Sequence, residues 1–373
     1  MSKKIVIALN TAWNLVNFRA GLIRALVAEG YDVVAFAPND EYAPRLAELG
    51  CRFVALPMDN KGTHPARDFL LLLRFLKLLR REQPHVYLGY TIKPNVYGSC
   101  AAHVLDIAVV NNIAGLGATF IHNNWLTRFV RLLYKMALSR SHHVFFQNDE
   151  DMHLFTEQGL VAHDKVSRLP GSGIDLSAFC YELPLENFQF CFLLVARLLW
   201  DKGVGEYVEA ARLVHQKYPT ARFQLLGFLD VKNPTAITSA QMDDWVNEGV
   251  VEYLGVADDV KPYLAAADCV VLPSYREGVP RSLLEAAAMG KPIVTTDAVG
   301  CRDTVDDGLN GLLCRVADAN DLADKLLHLM EMPSEERARM GLAGRKKMEL
   351  QFDEKIVIDR YMRVIEKIVL SRV

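Results

Sequence analysis

Short apolar strand patterns alternate with amphipathic helix patterns along almost the whole of this 373-residue chain. The first pair is a strand predicted at 4–10 and a helix predicted at 18–29, for which Asn17 is the expected N-cap. The same alternation continues to a strand predicted at 165–169. Because strands that are joined through helices lie parallel, the pattern predicts a doubly wound α/β sheet.

The alternation stops once, between residues 175 and 189, and restarts with a strand predicted at 190–196. We interpret the break as a linker, with one α/β domain over residues 1–178 and a second domain over residues 179–352. Folds of this class bind ligands outside the carboxyl ends of their strands. Two similar halves therefore predict a cleft between two sheets, and we expect catalysis there.

Charge and cysteine usage limit the class of protein. Residues 1–175 carry 19 Lys and Arg against 15 Asp and Glu, whereas the remainder carries 23 against 30. The basic first half indicates an anionic partner, although chance variation between two domains explains the counts equally well. The seven cysteines form no CxxC pair, which favours a reducing compartment and argues against structural zinc. The N-terminal apolar run is too short for a secretion signal, and no run reaches about 18 residues, so we expect a cytoplasmic protein.

Residues 272–297 combine the features of an anion-binding loop. A short strand leads into a polar loop, and Pro280 suits the first position of the helix that follows, which ends at Gly290. The loop brings a helix N-terminus, with its unpaired N–H groups and positive dipole, to the carboxyl end of a parallel strand. Glu277 and Glu285 flank that N-terminus. A nucleotide sugar, which has both an anion and neutral hydroxyls, would suit this arrangement.

Two cations follow an earlier strand of the second half. Arg197 and Lys202 could clamp a diphosphate, the guanidinium as a fork and the ammonium as a point charge. The alternative is a solvated loop between a strand and a helix, but the helix N-terminus two strands away favours the clamp. Gly173, in the run PGSGID, either lets the backbone approach a ligand or turns the chain into the linker.

Three loops of the first half follow predicted strands, at 10–19, 90–95 and 111–119. The first has the phosphate-loop position of a Rossmann unit but lacks GxGxxG, so NAD binding is not expected. The second carries a lysine that could meet a phosphate, and the glycines of the third indicate close backbone approach or tight turning. The residues of these loops expected to contact a ligand, and in a transferase the acceptor of the transferred group, are Arg19, Lys93, Asn95, Gly115 and Gly117.

Two helices of the first half, at 69–82 and 123–140, carry basic residues among apolar ones. A basic amphipathic helix with aromatic residues can lie in an anionic membrane interface. For 69–82 we expect a helix packed on the sheet with a solvated basic face, since most of its apolar residues could face the sheet. For 123–140 we predict a membrane contact. Its contact residues would be Trp125, Arg128, Arg131 and Lys135.

Other chemical signals are weaker. Asp149 and Asp151 match a DxD metal motif, but they follow a strand and open a helix, where acidic residues suit the helix dipole. We therefore predict no bound metal. No GxSxG motif is present, and no Cys–His pairing suggests itself, so hydrolase chemistry has no support.

The segment EGVPRSLLE at 277–285 is a Glu-x7-Glu motif. Together with VARLLWDKG and GSGID upstream, it resembles the retaining glycosyltransferases of family four, which have the GT-B fold of two Rossmann-like domains facing across a cleft. The first-half segments NFRAGLI, YTIKPNVYG and GLGATF look like a narrower branch of that family. That branch extends undecaprenyl-diphosphate-linked sugars with N-acetylgalactosamine or a related sugar in bacterial glycan assembly.

The resemblance implies roles for the matching positions. Arg197 and Lys202 would bind the donor diphosphate, Glu285 the ribose hydroxyls, and Glu277 the hydroxyls of the transferred sugar. Further donor contacts would come from Gly278, Val279, Pro280, Arg281, Ser282, Ser274, Gly173 and Asn17, with Tyr253, Leu254 and Gly255 flanking the nucleobase. A last helix over residues 353–373 would cross back onto the first domain.

The resemblance also implies the partners. These are a UDP-sugar donor, a polyprenyl-diphosphate-linked saccharide acceptor and the cytoplasmic face of the inner membrane as a peripheral site, with no further cofactor, no metal and no nucleic acid. One departure concerns the loop at 111–117, where many relatives carry a histidine and this chain has none. The alternative to an enzyme is a non-catalytic nucleotide-sugar sensor or scaffold with the same fold. It would be expected to lack one of Glu277, Glu285, Arg197 or Lys202, and all four are present.

Overall fold

The computed structural model describes residues 3–59, 64–115, 125–182, 189–231 and 233–371, and for 125–127 the backbone only. The chain forms two compact units. Unit 1 consists of Met1–Ser172 together with Glu354–Val373, and unit 2 is Gly173–Asp353. The division after Ser172 comes before the boundary predicted at 178. The C-terminal segment Glu354–Val373 belongs to unit 1.

Unit 1 contains a seven-stranded parallel sheet with the order β3-β2-β1-β4-β5-β6-β7. Alternate residues of its strands face opposite layers, as Ile5 and Val6 of β1 do. The strands are β1 Lys4–Ala8, β2 Asp32–Ala37, β3 Arg52–Ala55, β4 Val86–Tyr90, β5 Ala108–Ile113, β6 His143–Phe146 and β7 Val166–Arg168. The helices are α1 Ala12–Phe18, α2 Ala20–Ala28, α3 Arg45–Glu48, α4 Pro65–Glu82, α5 Ser99–Val104, α6 Trp125–Leu138 and α7 Asp149–Glu157.

The segment after β1 differs from the prediction. Most of the expected loop at 10–19 is helix α1, because the Thr11 hydroxyl accepts the N–H of Asn14 and the Asp40 carboxylate accepts the N–H of Ala12 at 2.8 Å. Asn17 is therefore not an N-cap. It lies within α1, and its side chain donates to the carbonyl of Trp13 at 2.9 Å.

Helix α4 packs on the sheet largely as expected. Its buried face, which includes Leu71, Phe75 and Leu79, packs on the sheet. However, three large apolar side chains at its N-terminal end do not. Phe69 is 59% exposed, Leu70 50% and Leu73 44%. Leu72, Leu76 and Leu78 also pack against the core, so most apolar residues of 69–82 face the sheet, as expected.

Unit 2 contains a six-stranded parallel sheet with the order β10-β9-β8-β11-β12-β13. The chain runs outward from β8 in one direction and then from β11 in the other, so the strand order reverses between these two neighbours. The strands are β8 Cys191–Val195, β9 Arg222–Leu226, β10 Glu252–Tyr253, β11 Cys269–Leu272, β12 Ile293–Thr296 and β13 Gly311–Cys314. The helices are α8 Val204–His215, α9 Ser239–Asn247, α10 Lys261–Ala266, α11 Arg281–Ala288, α12 Ala319–Glu331 and α13 Ser334–Lys347.

The last helix, α14 Glu354–Leu370, packs in the core of unit 1. Val357, Tyr361 and Ile365 lie among the buried residues of α1, α2 and β4. The Tyr361 hydroxyl accepts a hydrogen bond from Asn112 on β5 at 2.9 Å. Within the described ranges, no helix combines the length and apolarity that a membrane crossing needs.

Candidate functional site

The loops that follow β8 and β11 meet at the carboxyl edge of the unit 2 sheet. The sequence predicted a separation of two strands between them, but β8 and β11 are neighbours. Lys202, in the β8 loop, donates a hydrogen bond from Nζ to Oε1 of Glu277, in the β11 loop. Their side chains are 17% and 14% exposed, so the ion pair is largely shielded from water. The cation and carboxylate singled out in the sequence are thus in direct contact.

Backbone contacts hold the two loops together. The N–H of Tyr275 and the hydroxyl of Ser274 both donate to the carbonyl of Asp201, at 3.0 and 3.2 Å. Gly203, which follows Lys202, has φ +72 and packs directly against Pro273, where a methyl group would lie 2.7 Å from the Pro273 carbonyl carbon. Lys202 is therefore fixed by local backbone packing and by its ion pair.

A third loop, at residues 299–301 after β12, contacts the backbone of Glu277. The N–H of Glu277 donates to the carbonyl of Val299 at 2.9 Å. Gly300 has φ +80, and a methyl group there would overlap the carbonyl oxygens of both Glu277 and Gly278. Cys301 is fully buried beside them, and burial, with a smaller contribution from Glu277, raises the pKa of its thiol to about 12. The sequence prediction did not include Gly203 or Gly300, for which the only signal was a glycine at a turn.

Helix α11 presents its N-terminus beside this pair. Its N-cap is Pro280, whose side chain makes no capping hydrogen bond, and its first helical residue is Arg281. The prediction that Pro280 takes the first helical position was one residue early. The N–H groups in the first turn of a helix have no acceptor within the helix, and the helix dipole makes this end positive. The N-terminus of α11 is therefore suited to an anion.

Glu285 lies one turn into α11 and is 12% exposed on its side chain. The Nε of Arg281 donates to its Oε1 at 2.8 Å. Burial raises the pKa of the Glu285 carboxyl, and the Arg281 guanidinium opposes this effect. One carboxylate oxygen is thus held by the protein, and the group is oriented rather than free to rotate.

Arg197 follows β8 and is exposed. Within the described ranges, no carboxylate pairs with its guanidinium. The residues predicted to flank a base, Tyr253, Leu254 and Gly255, lie at the end of β10, next to β9. The Tyr253 hydroxyl donates to the carbonyl of Gly227 at 3.0 Å, and the N–H of Gly227 donates to the carbonyl of Gly255 at 2.8 Å. The N–H of Leu254 donates to the carbonyl of Leu225 at 2.9 Å. Backbone hydrogen bonds therefore fix most of the carboxyl ends of β9 and β10.

The remaining predicted residues lie outside this group of loops. Gly173 has φ +71 and begins unit 2, next to Ile174, which pairs with Asp353. In unit 1, Lys93 forms an ion pair with Asp68 at 2.8 Å, so its charge is already balanced. Asn95 is buried and donates to the carbonyl of Asn112 at 2.8 Å, in a structural network.

Arg19 and the two glycines complete the unit 1 set. Arg19 is 6% exposed, stacks over the Tyr90 ring at 4.5 Å, and finds no hydrogen-bond partner for Nε in the part of the chain that the structure describes. Gly115 has φ +134. Gly117 lies outside the described residues.

The acidic triplet after β6 is the start of helix α7, as predicted. Asn148 caps this helix by accepting the N–H of Asp151 at 2.8 Å, and Asp149 pairs with Arg168 at 2.7 Å. Across the described ranges, no three His, Cys, Asp or Glu side chains come together in a group that could hold a metal ion.

Models of two known families match the chain. Residues 17–171 match the Glycosyl transferase 4-like domain, and residues 189–332 match Glycosyl transferases group 1. A relative from Campylobacter jejuni subsp. jejuni serotype O:2 is 30% identical, over 95% of this chain and 96% of its own. It is named N,N'-diacetylbacillosaminyl-diphospho-undecaprenol alpha-1,3-N-acetylgalactosaminyltransferase. An Escherichia coli relative is 25% identical, over 75% of this chain and 73% of its own. It is named UDP-Gal:alpha-D-GlcNAc-diphosphoundecaprenol alpha-1,3-galactosyltransferase.

Solved structures share the fold. Sucrose-phosphate synthase from Thermosynechococcus elongatus matches with a TM-score of 0.80 at 18% identity, over 99% of this chain and 100% of that one. Anabaena HepE in complex with UDP and glucose matches with a TM-score of 0.77 at 18% identity, over 98% and 99% of the two chains. These neighbours are GT-B glycosyltransferases, which confirms the predicted fold class of two Rossmann-like α/β domains. On the evidence of the two domain models and the full-length relative, the chain belongs to the family of GT4-type glycosyltransferases.

Proposed function

We propose that this protein is a retaining glycosyltransferase that moves N-acetylgalactosamine, or a related hexose, from a UDP donor onto a polyprenyl-diphosphate-linked saccharide. The observation that carries the proposal is the Lys202–Glu277 pair beside the N-terminus of α11, at the edge where β8 and β11 meet. The names of the Campylobacter and Escherichia relatives support the acceptor class. The UDP complex of Anabaena HepE supports the donor class.

The mechanism follows from where charge develops. As the bond to the sugar breaks, negative charge builds on the β-phosphate of the donor. Lys202, Arg197 and the N–H groups at the start of α11 would stabilise that charge. Glu277, held by Lys202 and by the N–H bond to Val299, would accept hydrogen bonds from the transferred sugar. Glu285 would accept them from the ribose hydroxyls.

The acceptor hydroxyl would attack the same face of the sugar from which the diphosphate departs, so the configuration is retained. Its proton would pass to the departing phosphate oxygen, and no separate general base is then required. The rival role for Glu277 is that of a covalent nucleophile. We favour the hydroxyl-binding role because the ion pair with Lys202 lowers the nucleophilicity of this carboxylate.

The test is a matrix of radiolabelled nucleotide sugars against acceptors. UDP-linked N-acetylgalactosamine, galactose and glucose, and a GDP-linked sugar, would each be offered with short polyprenyl-diphosphate saccharides and with the same saccharides free of lipid. The proposal expects transfer from a UDP-sugar to the lipid-linked acceptor with retained configuration. Tight UDP binding without any turnover would instead favour a non-catalytic sensor.

Activity is expected to persist in excess EDTA. The chain supplies its own cations for the diphosphate, in Arg197 and Lys202, so the leaving group needs no metal counterion. The measurement is the initial rate with and without chelator, with added magnesium as the control. If chelation abolishes the activity and magnesium restores it, the proposal is contradicted, and a metal site at Asp149 and Asp151 would be favoured.

We also propose peripheral attachment of unit 1 to the cytoplasmic face of the inner membrane through α6. Arg128 and Lys135 are exposed on this helix, together with the apolar side chains of Phe129, Leu132 and Met136. Arg131 is half-buried and less suited to lipid contact. The side chain of Trp125 lies outside the described residues. Cations beside apolar side chains suit an anionic interface.

The double variant Arg128→Glu, Lys135→Glu is expected to lower the partition coefficient onto anionic liposomes, measured by flotation, by at least about 30-fold, because each of the two surface cations contributes about 1 kcal/mol of attraction. Flotation with neutral liposomes serves as the baseline. The matched control is Lys217→Glu together with Arg339→Glu, two exposed cations of unit 2. Equal flotation of wild type and the α6 variant would argue against this contact.

A further inference from the structure

Ser274 links three neighbouring strands of unit 2. It is the second residue after β11, and it is fully buried. Its hydroxyl donates to the carbonyl of Asp201, in the loop after β8, at 3.2 Å. Its own carbonyl accepts the hydroxyl of Thr296, the last residue of β12. Because Ser274 has no exposed surface, it is suited to holding these loops together and not to the direct donor contact that was predicted for it.

The regular ladder of β11 ends before this residue. The pairing of β11 with β8 extends to Val270, and its pairing with β12 extends to Leu272. The next residue is Pro273, which has no N–H and so cannot donate to a ladder. The segment that carries Glu277 therefore depends on other contacts to fix its position, and Ser274 supplies two of them.

Thr296 is a rigid anchor for the carbonyl of Ser274. Its backbone pairs with Cys314 of β13, and its side chain is fully buried. The loss of a buried hydrogen bond is costly, because the carbonyl that remains cannot turn to water. The Cys301 thiol lies 4.0 Å from the same carbonyl, but a thiol is a weak donor and would not replace the Thr296 hydroxyl.

The carbonyl of Asp201 is the point at which these bonds reach the β8 loop. It accepts the hydroxyl of Ser274 and also, at 3.0 Å, the N–H of Tyr275. Lys202 follows Asp201 directly in the chain. Glu277 lies two residues after Tyr275. The separation of the two backbones at the Asp201 carbonyl therefore governs where the ammonium and the carboxylate meet.

The neighbouring threonine makes a similar hydrogen bond with a different consequence. Thr295 is also fully buried, and its hydroxyl donates to the carbonyl of Leu272 at 2.6 Å. Leu272 and Thr295 are already partners in the ladder between β11 and β12. The Thr295 bond therefore stabilises a strand whose position is set, whereas the Thr296 bond acts on the segment beyond the ladder.

We propose that Thr296 is a positioning residue of the transfer reaction. Through Ser274 and the carbonyl of Asp201, its hydroxyl sets the distance between the Lys202 ammonium and the diphosphate of the donor. Thr296 has no exposed surface, so it acts through Lys202 and does not contact a substrate itself. This assignment rests on the proposed function, in which Lys202 stabilises that diphosphate.

The test is a double-mutant cycle on UDP binding, measured by titration calorimetry on the full chain. Thr296→Val keeps the shape of the side chain and removes the hydroxyl. It is expected to raise the Kd of UDP about fivefold, part of the effect of losing a hydrogen bond to a charged group. In a Lys202→Ala background the same substitution is expected to change Kd by less than about twofold, because the group that Thr296 positions is absent. Thr296→Ser, which restores the hydroxyl, is expected to bind UDP as the wild type does.

Two other buried threonines are the matched controls. Thr295→Val removes the adjacent hydroxyl, and Thr156→Val removes one in α7 of unit 1 that donates to the carbonyl of Met152 at 3.0 Å. Both are expected to lower the midpoint of urea denaturation and to leave the Kd of UDP and kcat unchanged. Thr296→Val is expected to lower kcat about tenfold as well, because a displacement smaller than the 1 Å that costs about 100-fold still slows the reaction.

Each other outcome counts against the assignment. An unchanged Kd in Thr296→Val, the same fold rise in the Lys202→Ala background, or an equal rise in Thr295→Val would overturn it, since a hydroxyl with a purely structural role would behave in these ways. If urea denaturation shows that Thr296→Val is unfolded, Ser274→Ala takes its place with the same expectations, because it removes the bond from Ser274 to Asp201.

Failure of the proposed function gives a different result. A wild type that binds UDP and transfers no sugar would contradict the proposed function alone, because the binding cycle needs no turnover. A wild type that does not bind UDP would overturn both.

Discussion

Replacing Lys202 with alanine is expected to lower kcat about 100- to 1,000-fold, the usual cost of losing one preorganised donor to a developing anion. In the proposed mechanism this ammonium is the cation fixed closest to Glu277, and it faces the departing diphosphate. Its loss also leaves Glu277, 14% exposed, without its cation. The measurement is steady-state kinetics with a saturating donor, together with a urea denaturation curve to show that the variant is folded.

A matched control is Lys217→Ala. Lys217 also forms an ion pair with a glutamate, Glu331, but that pair is exposed on the surface of unit 2. Its removal is expected to leave both kcat and the midpoint of urea denaturation unchanged, because exposed ion pairs contribute little to stability. A kcat for Lys202→Ala within about threefold of wild type would rule out the diphosphate clamp.

Gly300→Ala is expected to lower both the stability of the protein and its activity. The left-handed backbone costs alanine about 1–2 kcal/mol, and the overlap with the Glu277 and Gly278 carbonyls adds about 1–3 kcal/mol. Relief of that overlap would displace the Glu277 loop. Because misplacement by about 1 Å can cost on the order of 100-fold in rate, we expect kcat/KM to fall by about that factor.

Gly308→Ala separates the two causes. Gly308 has φ +76, almost the same as Gly300, but a methyl group there meets nothing within 4 Å. The free energy of unfolding of this variant should fall only by the cost of the left-handed backbone, about 1–2 kcal/mol, and its activity should be unchanged. Equal losses in the two variants, read from urea denaturation and initial rates, would show that packing against Glu277 is unimportant.

The secondary structure of unit 2 around the proposed donor site could be predicted well from the sequence, because its signals are local. The run from β11 through α11 to β12 is a buried strand, a polar loop and a helix that stops at Gly290, and each part is visible in consecutive residues. Arg197 and Lys202 could be linked to that run because both loops follow strands of one parallel sheet. The direct contact of Lys202 with Glu277 depends on β8 and β11 being neighbours, which local patterns do not encode.

The loops of unit 1 where we propose acceptor binding were harder to predict, because distant residues decide their structure. Helix α1 depends on Asp40, far along the chain, accepting the N–H of Ala12. The predicted phosphate contact of Lys93 did not take account of Asp68, which lies on another helix and neutralises it. The exposed apolar turns of α4 depend on how the helix is rotated against the sheet, and a run as rich in leucine as this one does not fix that rotation.

Unit 1 is built from both ends of the chain, and this has a consequence for synthesis. A ribosome adds about 5–20 residues per second, and N-terminal domains usually fold first. Here the core of unit 1 lacks Tyr361 and Ile365 until the final helix has been made, whereas unit 2 is complete once Asp353 has emerged. The half of the protein that is translated first is therefore the last to finish folding. Until the final helix emerges, the apolar side chains of α1 and α2 that α14 covers remain uncovered in the nascent chain.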